Sequence, residues 1–266
     1  MKRTYTALAV VLSLLALLVG CAPQPEQAEV WEMEEESVVV FSDGQTVDRW
    51  RAREGELRGS VAWYELSDGT PLLLEDDPAE PANTAGMGEA AWTFLIQTLS
   101  DWGLRYDPAS LLEEAYARYQ ACLDEGEEFA PGEVGQATAL TAQAEQVVYL
   151  CTTVTVAPDP EASREIRLGS AFDRETGQPL DFFSLFAADE ATVRAALTAF
   201  GEEEFWAGQA AALDPEWVAF YPDYLEVCVP AQTLPQLEQG LVLRWDYAQL
   251  DGLLQPWAAP NGTEEP

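Results

Sequence analysis

The 266-residue chain has no histidine, and its single lysine, Lys2, stands next to the N-terminus. Without an imidazole or an internal amine, Ser-His-Asp, Cys-His and Ser-Lys nucleophile systems are excluded, and so is Schiff-base chemistry. Zinc sites that use histidine are excluded for the same reason. An enzyme with this sequence would rely on carboxylates, tyrosine, arginine or an unassisted cysteine, and we expect a protein that is not an enzyme.

Positive charge is also scarce. The chain has 13 lysine and arginine residues against 47 aspartate and glutamate residues, so its formal net charge is −34 at pH 7. Such a charge repels DNA and anionic lipid headgroups and attracts cationic proteins. The composition therefore predicts no nucleic-acid partner and favours a cationic extracellular protein or peptide. The alternative is that the low pI only keeps a surface protein soluble.

Cysteine is rare, with four residues and no C-x-x-C pair. Cys21 lies near the N-terminus and three cysteines follow it, so at most one internal disulfide can form among those three. Cys151 and Cys228 both lie in strand-like runs and are the favoured pair if a disulfide exists. The alternative is that both are buried free thiols, which behave as small hydrophobic side chains.

The one pronounced apolar run lies near the N-terminus. Two basic residues precede apolar residues from 7 to 19, which is the layout of a secretory signal peptide and is short for a transmembrane helix. Leu18-Val19-Gly20-Cys21 resembles a bacterial lipobox, whose cysteine receives a diacylglycerol, and two acyl chains suffice for stable anchoring. We expect a lipoprotein leader over 1–20 and a lipid anchor on Cys21, at the extracytoplasmic face of the cell membrane. The alternative is an ordinary secretory signal.

Composition divides the rest of the chain into four parts. Residues 21–36 are rich in proline and glutamate, as in an acidic, solvated tether. Residues 258–266 are rich in proline, glycine and glutamate, as in a flexible tail. Between these segments we expect an N-terminal α+β region over 37–135 and a second domain over 136–257.

Hydrophobic periodicity predicts strands in both halves of the chain and helices that stand apart from them. The helices are predicted over 89–101, 108–124 and 189–200, with a closing helical turn over 250–254 capped by Asp246. The strands are predicted over 38–41, 56–65, 71–74, 136–145, 146–157, 165–173, 217–221, 224–229 and 241–245. Because short turns join most of the strands, the predicted fold class is α+β, with antiparallel β-sheets and helices packed on one face.

The turn after the predicted strand 165–173 organises the second half of the chain. Gly177 supplies the positive φ that a tight turn needs, and Asp181 caps the segment that follows. Four apolar residues then press that segment onto a sheet: Phe182, Phe183, Leu185 and Phe186. We interpret this stretch as structural and not catalytic.

Three other patterns resemble ligand sites. Residues 86–91 match G-x-G-x-x-A but lack the preceding strand that a dinucleotide site requires, so no cofactor is expected. The acidic run over 124–128 lacks the calcium-loop spacing, and the sequence predicts a solvated loop and no metal site. Arg49, Arg51 and Arg53 would share one face of a strand, where they would either grip an anion or pair with the protein's own acids.

Between about residues 136 and 254, the order of landmarks resembles the extracytoplasmic domain of RsiV-like anti-sigma factors, known as domain of unknown function 3298. In that family a strand ends in an Asp-x-x-Thr-Gly-x-x-Leu turn and runs into a Leu-Phe helix start. The matching residues here are Asp173, Thr176, Gly177, Leu180, Leu185 and Phe186. In the family, a Phe-Tyr strand and a closing strand follow. Phe220-Tyr221 resembles the first of these, and residues 241–254 resemble the second.

The resemblance implies a binding domain, since the best-known family members are membrane-bound sensors that bind lysozyme. With the predicted anchor, it implies a lipid-anchored, extracytoplasmic binding or sensing protein whose ligand is a cationic protein such as lysozyme. The alternatives are a carboxylate-based glycan hydrolase and a structural protein of the cell envelope. A cleft lined by tryptophan and by two facing carboxylates, about 5 to 9.5 Å apart, would favour the hydrolase.

Overall fold

The computed structural model describes residues 32–53, 60–76, 78–158, 163–199, 212–231, 233, 240–250 and 252–260. The expected leader, Cys21 and the residues from 261 onward lie outside these ranges, as does Arg58. Within them, no helix has the length and apolar character needed to cross a membrane.

Ten strands form two sheets in the described part of the chain. The large sheet has the order β1 to β7, with strands Glu32–Val40, Thr46–Arg53, Ser60–Leu66, Pro71–Asp76, Gly132–Gln143, Val147–Ala157 and Arg164–Asp173. The small sheet has the order β10-β9-β8, with β8 Val218–Phe220, β9 Tyr224–Val229 and β10 Leu241–Asp246. Within the described ranges, three α-helices accompany them: α1 Glu89–Trp102, α2 Pro108–Glu125 and α3 Glu190–Leu197. The predicted α+β class is confirmed.

The first four strands form a meander because their turns have the expected chemistry. Asp43 accepts a hydrogen bond from the Gln45 N–H at 3.0 Å, and Gly44 has a φ of 86°. Asp68 and Gly69 repeat this arrangement between β3 and β4. Side-chain acceptors and a glycine of positive φ are what tight turns of this kind require.

β1 begins at Glu32, five residues before the expected strand start at Ser37. The register places Glu32 opposite Arg53 and Glu34 opposite Arg51. The backbone pairing with β2 therefore extends back to Glu32. The last five residues of the expected tether are strand in the structure.

One pair in the large sheet is parallel. Helices α1 and α2 lie in the connection between β4 and β5, and Leu73 to Glu75 pair in parallel with Gly132 to Val134. A parallel pair needs such a long crossover. The boundary expected between residues 135 and 136 lies inside β5, and the pairing of β4 with β5 joins the two predicted regions into one sheet.

The two faces of the large sheet have different partners because side chains alternate along each strand. From β6, Val148 and Leu150 pack with α1, while Val154 and Val156 pack with α2. The helices α1 and α2 thus share one face, as predicted. The opposite face, which we call the open face, is covered only in part by the small sheet.

The small sheet touches the open face closely. A Cβ atom at Gly169 in β7 would lie less than 3.0 Å from the backbone of Val218 in β8, so only glycine fits at that crossing. Beside it, the rings of Tyr149 and Phe220 stack with centroids 4.4 Å apart. The core under the small sheet also takes in α3 and the 3-10 helix Phe182–Leu185.

The closing turn differs from the prediction. A 3-10 helix spans Tyr247–Leu250, so the turn comes earlier than the expected 250–254. The N–H of Asp246 donates to the side chain of Gln249, and Leu254 instead forms a bridge with Phe186. Burial of Leu250 in the core under the small sheet sets this position.

Candidate ligand-binding groove

The turn after β7 is held by Asp173. One oxygen of this carboxylate accepts hydrogen bonds from the Glu175 N–H at 3.1 Å and from the Thr176 N–H and hydroxyl, each at 2.7 Å. Gly177 follows with a φ of 74°. Asx-type turns of this kind replace backbone pairing with side-chain acceptors, so Asp173, Thr176 and Gly177 shape the chain at this position.

The remaining residues of the family motif pack the segment after that turn. Asp181 caps the 3-10 helix by accepting from the Ser184 N–H at 3.1 Å. Leu185 and Phe186 are buried in the core under the small sheet, and Leu180 packs against it. None of these side chains lines the groove described below.

Cys151 and Cys228 are both buried with free thiols, so the disulfide considered above is not formed in this structure. Cys228 lies 4.0 Å from the carboxylate of Glu226. Burial, followed by this carboxylate, raises the pKa of Cys228 to about 12. The pKa of Cys151 is raised by burial as well. Their surroundings favour the neutral thiol.

Arg49 contacts the protein's own acid. Its guanidinium donates two hydrogen bonds to one oxygen of the buried Glu75, at 2.8 and 3.1 Å, and the Tyr106 hydroxyl donates to the other oxygen at 2.7 Å. Arg49 therefore fits the pairing alternative, while the side chains of Arg51 and Arg53 lie outside the described residues. A buried carboxylate needs such partners because desolvation of an unpaired charge is costly.

Several other arginines also contact groups of the same chain. Arg105 pairs with Glu216, Arg164 with Glu114, and Arg194 with Glu190. Arg167 pairs with both Glu165 and Glu226, and Arg174 donates to the Ala85 carbonyl. Arg105, Arg164, Arg167 and Arg194 thus neutralise acids in their own neighbourhoods.

A groove of about 570 Å³ lies on the open face beside the small sheet. Its floor consists of short side chains from β5 and β6, including Gly135, Ala137, Thr153 and Thr155. Two carboxylates, Asp76 and Glu133, also line it. We call this feature the acidic groove.

The carboxylates come from the two strands of the parallel pair. Asp76 ends β4 and Glu133 begins β5. A Cβ atom at Gly135 would lie 3.4 Å from an oxygen of Asp76, so the absent side chain at Gly135 leaves that carboxylate open to the groove. Among the described residues, no arginine forms an ion pair with Asp76 or Glu133.

A second acidic stretch lies at the C-terminal end of α2. Residues 124–128 are all exposed, and four of these five carry carboxylates. The last turn of α2 has no basic residue, so the partial negative charge of a helix C-terminus adds to the carboxylates. Pro131 links this end to the lining of the groove. The surface here attracts cations.

The groove carries only part of the signature of a glycosidase. Two carboxylates line it, but no aromatic residue does. In the ranges that the structure covers, histidine, cysteine, aspartate and glutamate form no group of three that could hold a metal ion. The groove can offer negative charge, hydroxyl groups and a flat floor to an extended cationic segment.

No sequence motif marks Asp76 or Glu133. Both lie at the edges of segments predicted as loops, and 57 positions of sequence separate them. Only the parallel pairing of β4 with β5 brings them to one groove. No local sequence pattern predicts that pairing. Once the pairing is known, carboxylates at the ends of adjoining strands indicate the groove.

The solved structures that the chain matches in a structural comparison include a DUF3298 family protein from Pseudomonas aeruginosa PAO1 and a member of the same family from Bacteroides fragilis NCTC 9343. The first is 13% identical in sequence, and the match covers 87% of this chain and 98% of the Pseudomonas chain, with a TM-score of 0.37. The second is 9% identical in sequence, and the match covers 85% of this chain and 94% of the Bacteroides chain, with a TM-score of 0.37. No family model and no curated protein matches the chain. At these values, the likeness to the two solved structures carries no argument on family or function.

Proposed function

We propose that this chain is a lipid-anchored, extracytoplasmic binding protein that receives a cationic segment of a partner protein in its acidic groove. The observation that carries the proposal is the pair of carboxylates, Asp76 and Glu133, that line one groove without an arginine partner among the described residues. The arginines with described ion pairs contact acids outside the groove, so the groove favours a ligand that brings positive charge.

The shape of the groove supports an extended segment as the ligand. Gly135 and Ala137 on β5 and Thr153 and Thr155 on β6 are short, so a peptide backbone can approach the sheet face. The threonine hydroxyls can donate to its carbonyl groups. Lysine or arginine side chains of the segment would then reach the two carboxylates. A cationic lysozyme is the first partner to test, because such proteins present arginines at their surface.

The test uses the mature chain with Cys21→Ser, which cannot be acylated, titrated with a cationic lysozyme by calorimetry. Asp76→Asn combined with Glu133→Gln is expected to weaken binding about tenfold or more, because each lost charge pair at an interface costs on the order of 1 kcal/mol. Titration at about 50 mM and about 200 mM salt separates a shaped interface, which keeps its stoichiometry, from diffuse attraction.

The matched control is Glu145→Gln combined with Glu175→Gln. Both residues are exposed, and neither lines the groove, so this variant loses the same charge elsewhere. Equal weakening by the two double variants would mean that only total charge matters and would contradict the groove. Acylation is tested separately, by incorporation of a labelled fatty acid that Cys21→Ser abolishes.

A glycan hydrolase is the second candidate, and the presence of two carboxylates in one groove is what favours it. In that case the chain would release reducing ends from peptidoglycan, and Glu133→Gln or Asp76→Asn alone would abolish the release. The lack of an aromatic platform in the groove is why we rank binding above hydrolysis.

A further inference from the structure

A second cavity, of about 340 Å³, opens where the C-terminal end of α1 meets β5 and β6. One wall is the end of α1 with the loop after it, the other is the segment 78–81, and the floor is formed by β5 and β6. Small-molecule pockets have volumes of about 300–1,000 Å³, so the cavity is large enough for one small ligand. It is separate from the two carboxylates of the acidic groove.

The apolar part of this cavity is exposed. Trp102 is 40% and Leu104 is 39% accessible, and both line it together with Leu99 and two prolines. Large apolar side chains kept at the surface around a concavity mark a binding site more often than isolated ones do. The Arg105 guanidinium lies 6.0 Å from the centroid of the Trp102 ring, so the exposed part of the indole offers an apolar surface beside a charged donor.

The loop that carries Leu104 is held in place before any ligand arrives. Gly103 ends α1 with a φ of 67°. The side chain of Gln136 on β5 accepts from the Arg105 N–H at 2.7 Å and donates to the Gly103 carbonyl at 3.3 Å. A preformed cavity avoids the entropy cost of ordering its walls on binding.

The polar part of the cavity consists mainly of donors. The hydroxyls of Thr138 and Thr152 are 2.9 Å apart, so one donates to the other and the second hydroxyl hydrogen has no acceptor in the described part of the chain. Arg105 donates from Nη2 to Glu216, which leaves its Nε and Nη1 hydrogens without an acceptor among the described residues. A ligand for this cavity must supply acceptors.

Several ligand classes fit these groups poorly. A purely apolar ligand would bury the threonine and arginine donors unpaired, which costs free energy. An anion would meet Glu80 at the rim and an arginine whose charge Glu216 already offsets. A cation would offer no acceptor to the arginine and threonine donors. What fits is a neutral ring with hydroxyl oxygens at its edge and C–H groups on its face.

We propose that this cavity binds a neutral sugar ring, with its C–H face on the indole of Trp102 and its hydroxyl oxygens on Arg105 and the Thr138–Thr152 pair. The inference is independent of the acidic groove and of its cationic partner. It gives the chain a glycan contact on the face of the sheet that α1 and α2 cover.

The experiment titrates the mature chain, with Cys21→Ser, with chitotetraose, cellotetraose and maltotetraose at millimolar concentrations. At least one of them is expected to bind, and Trp102→Ala is expected to weaken that binding about tenfold, because the aromatic face is lost. Phe94→Ala is the matched control: Phe94 lies on the same helix, is 47% exposed and does not line the cavity. It should bind as the unsubstituted chain does.

Trp102 also contacts the ring of Phe172, so its removal can affect folding. Thr138→Val is therefore the second variant, since it keeps the shape and removes a hydroxyl, and thermal unfolding of both variants is compared. Absence of binding by all three tetrasaccharides would overturn the proposal, as would saccharide binding that Trp102→Ala and Thr138→Val leave unchanged. Preferential binding of tetragalacturonate or of indole would overturn the neutral-sugar assignment.

Discussion

Gly177, in the turn after β7, faces the backbone carbonyl of Ala91 in α1 so closely that a Cβ atom at residue 177 would lie less than 3.0 Å from that oxygen. Beside it, Arg174 donates to the Ala85 carbonyl at 2.8 Å. The family turn therefore rests on the start of α1, and it joins the two halves of the chain that the sequence analysis treated as separate regions.

Replacement of this glycine tests the contact. Gly177→Ala is expected to lower the free energy of unfolding by about 2 kcal/mol or more, because a positive φ and a steric clash add. Gly44→Ala is the control, since Gly44 has a φ of 86° and a Cβ atom there would have no other atom within 4 Å, so only the backbone cost of about 1 kcal/mol applies. Urea unfolding measures both, and equal losses would contradict the close approach.

The ion pair between Arg49 and Glu75 predicts a large effect on stability. Arg49→Ala leaves Glu75, whose side chain is 4% exposed, without its counter-charge, and we expect a loss of about 3–5 kcal/mol. Arg164→Ala breaks an exposed pair with Glu114 and should cost about 0–1 kcal/mol. Chemical unfolding of the two variants side by side measures the difference. Similar small losses would mean that water replaces Arg49 at Glu75.

Because of Asp43, we expect the free energy of unfolding to depend on pH. The Tyr116 hydroxyl donates to Asp43 at 2.6 Å, and this hydrogen bond, with a smaller contribution from the Gln45 N–H, lowers the pKa of Asp43 below its ordinary value. A lowered folded-state pKa means that the stabilisation is present above about pH 4 and is lost as the pH falls through the folded pKa.

Tyr116→Phe tests that linkage, because it removes the hydroxyl and keeps the ring that stacks on Phe41. The variant is expected to lower the urea midpoint at neutral pH and to have less effect at about pH 2, because the unsubstituted chain loses the same interaction progressively as the pH falls below about 4. Tyr119→Phe serves as the control, since no hydrogen bond of its hydroxyl is present among the described residues. An effect of Tyr116→Phe that is the same at both pH values would refute the linkage.

Thiol reactivity tests the state of the cysteines. In the chain with Cys21→Ser, Cys122 is half-buried, whereas Cys151 and Cys228 are buried with raised pKa values. A thiol reagent should therefore modify one cysteine quickly at about pH 8 and the other two only on unfolding. Three reactive thiols in denaturant agree with this structure. A single one would indicate the disulfide between Cys151 and Cys228.

Local patterns were sufficient for the elements whose signals lie within a few residues. Apolar spacing predicted α1 and α2 to within a residue at each end, and Asp107 caps α2 by accepting from the Ala109 N–H at 3.0 Å. The same holds for the turns at Asp43–Gly44 and Asp68–Gly69. Hydrogen bonds inside one turn of chain depend on the residues of that turn, so the sequence alone determines them.

The start of β1 and the position of the closing turn needed more than local pattern. From the sequence alone, Glu32 and Glu34 are predicted to lie in a solvated tether. Only the strand register with Arg53 and Arg51 shows that they belong to β1. The closing turn follows the burial of Leu250 beneath the small sheet. Strand register and burial depend on residues far away in sequence, so hydrophobic periodicity does not predict them.

The chain's negative charge, its lack of histidine and its α+β class were determined by the sequence. The two candidate ligand sites were decided by tertiary structure alone. Asp76 and Glu133 share a groove because β4 and β5 pair in parallel, and Trp102 meets Thr138 because α1 packs across β5. The physical reason is that charges and donors become a site only when distant segments hold them together in a shape that a ligand can fill.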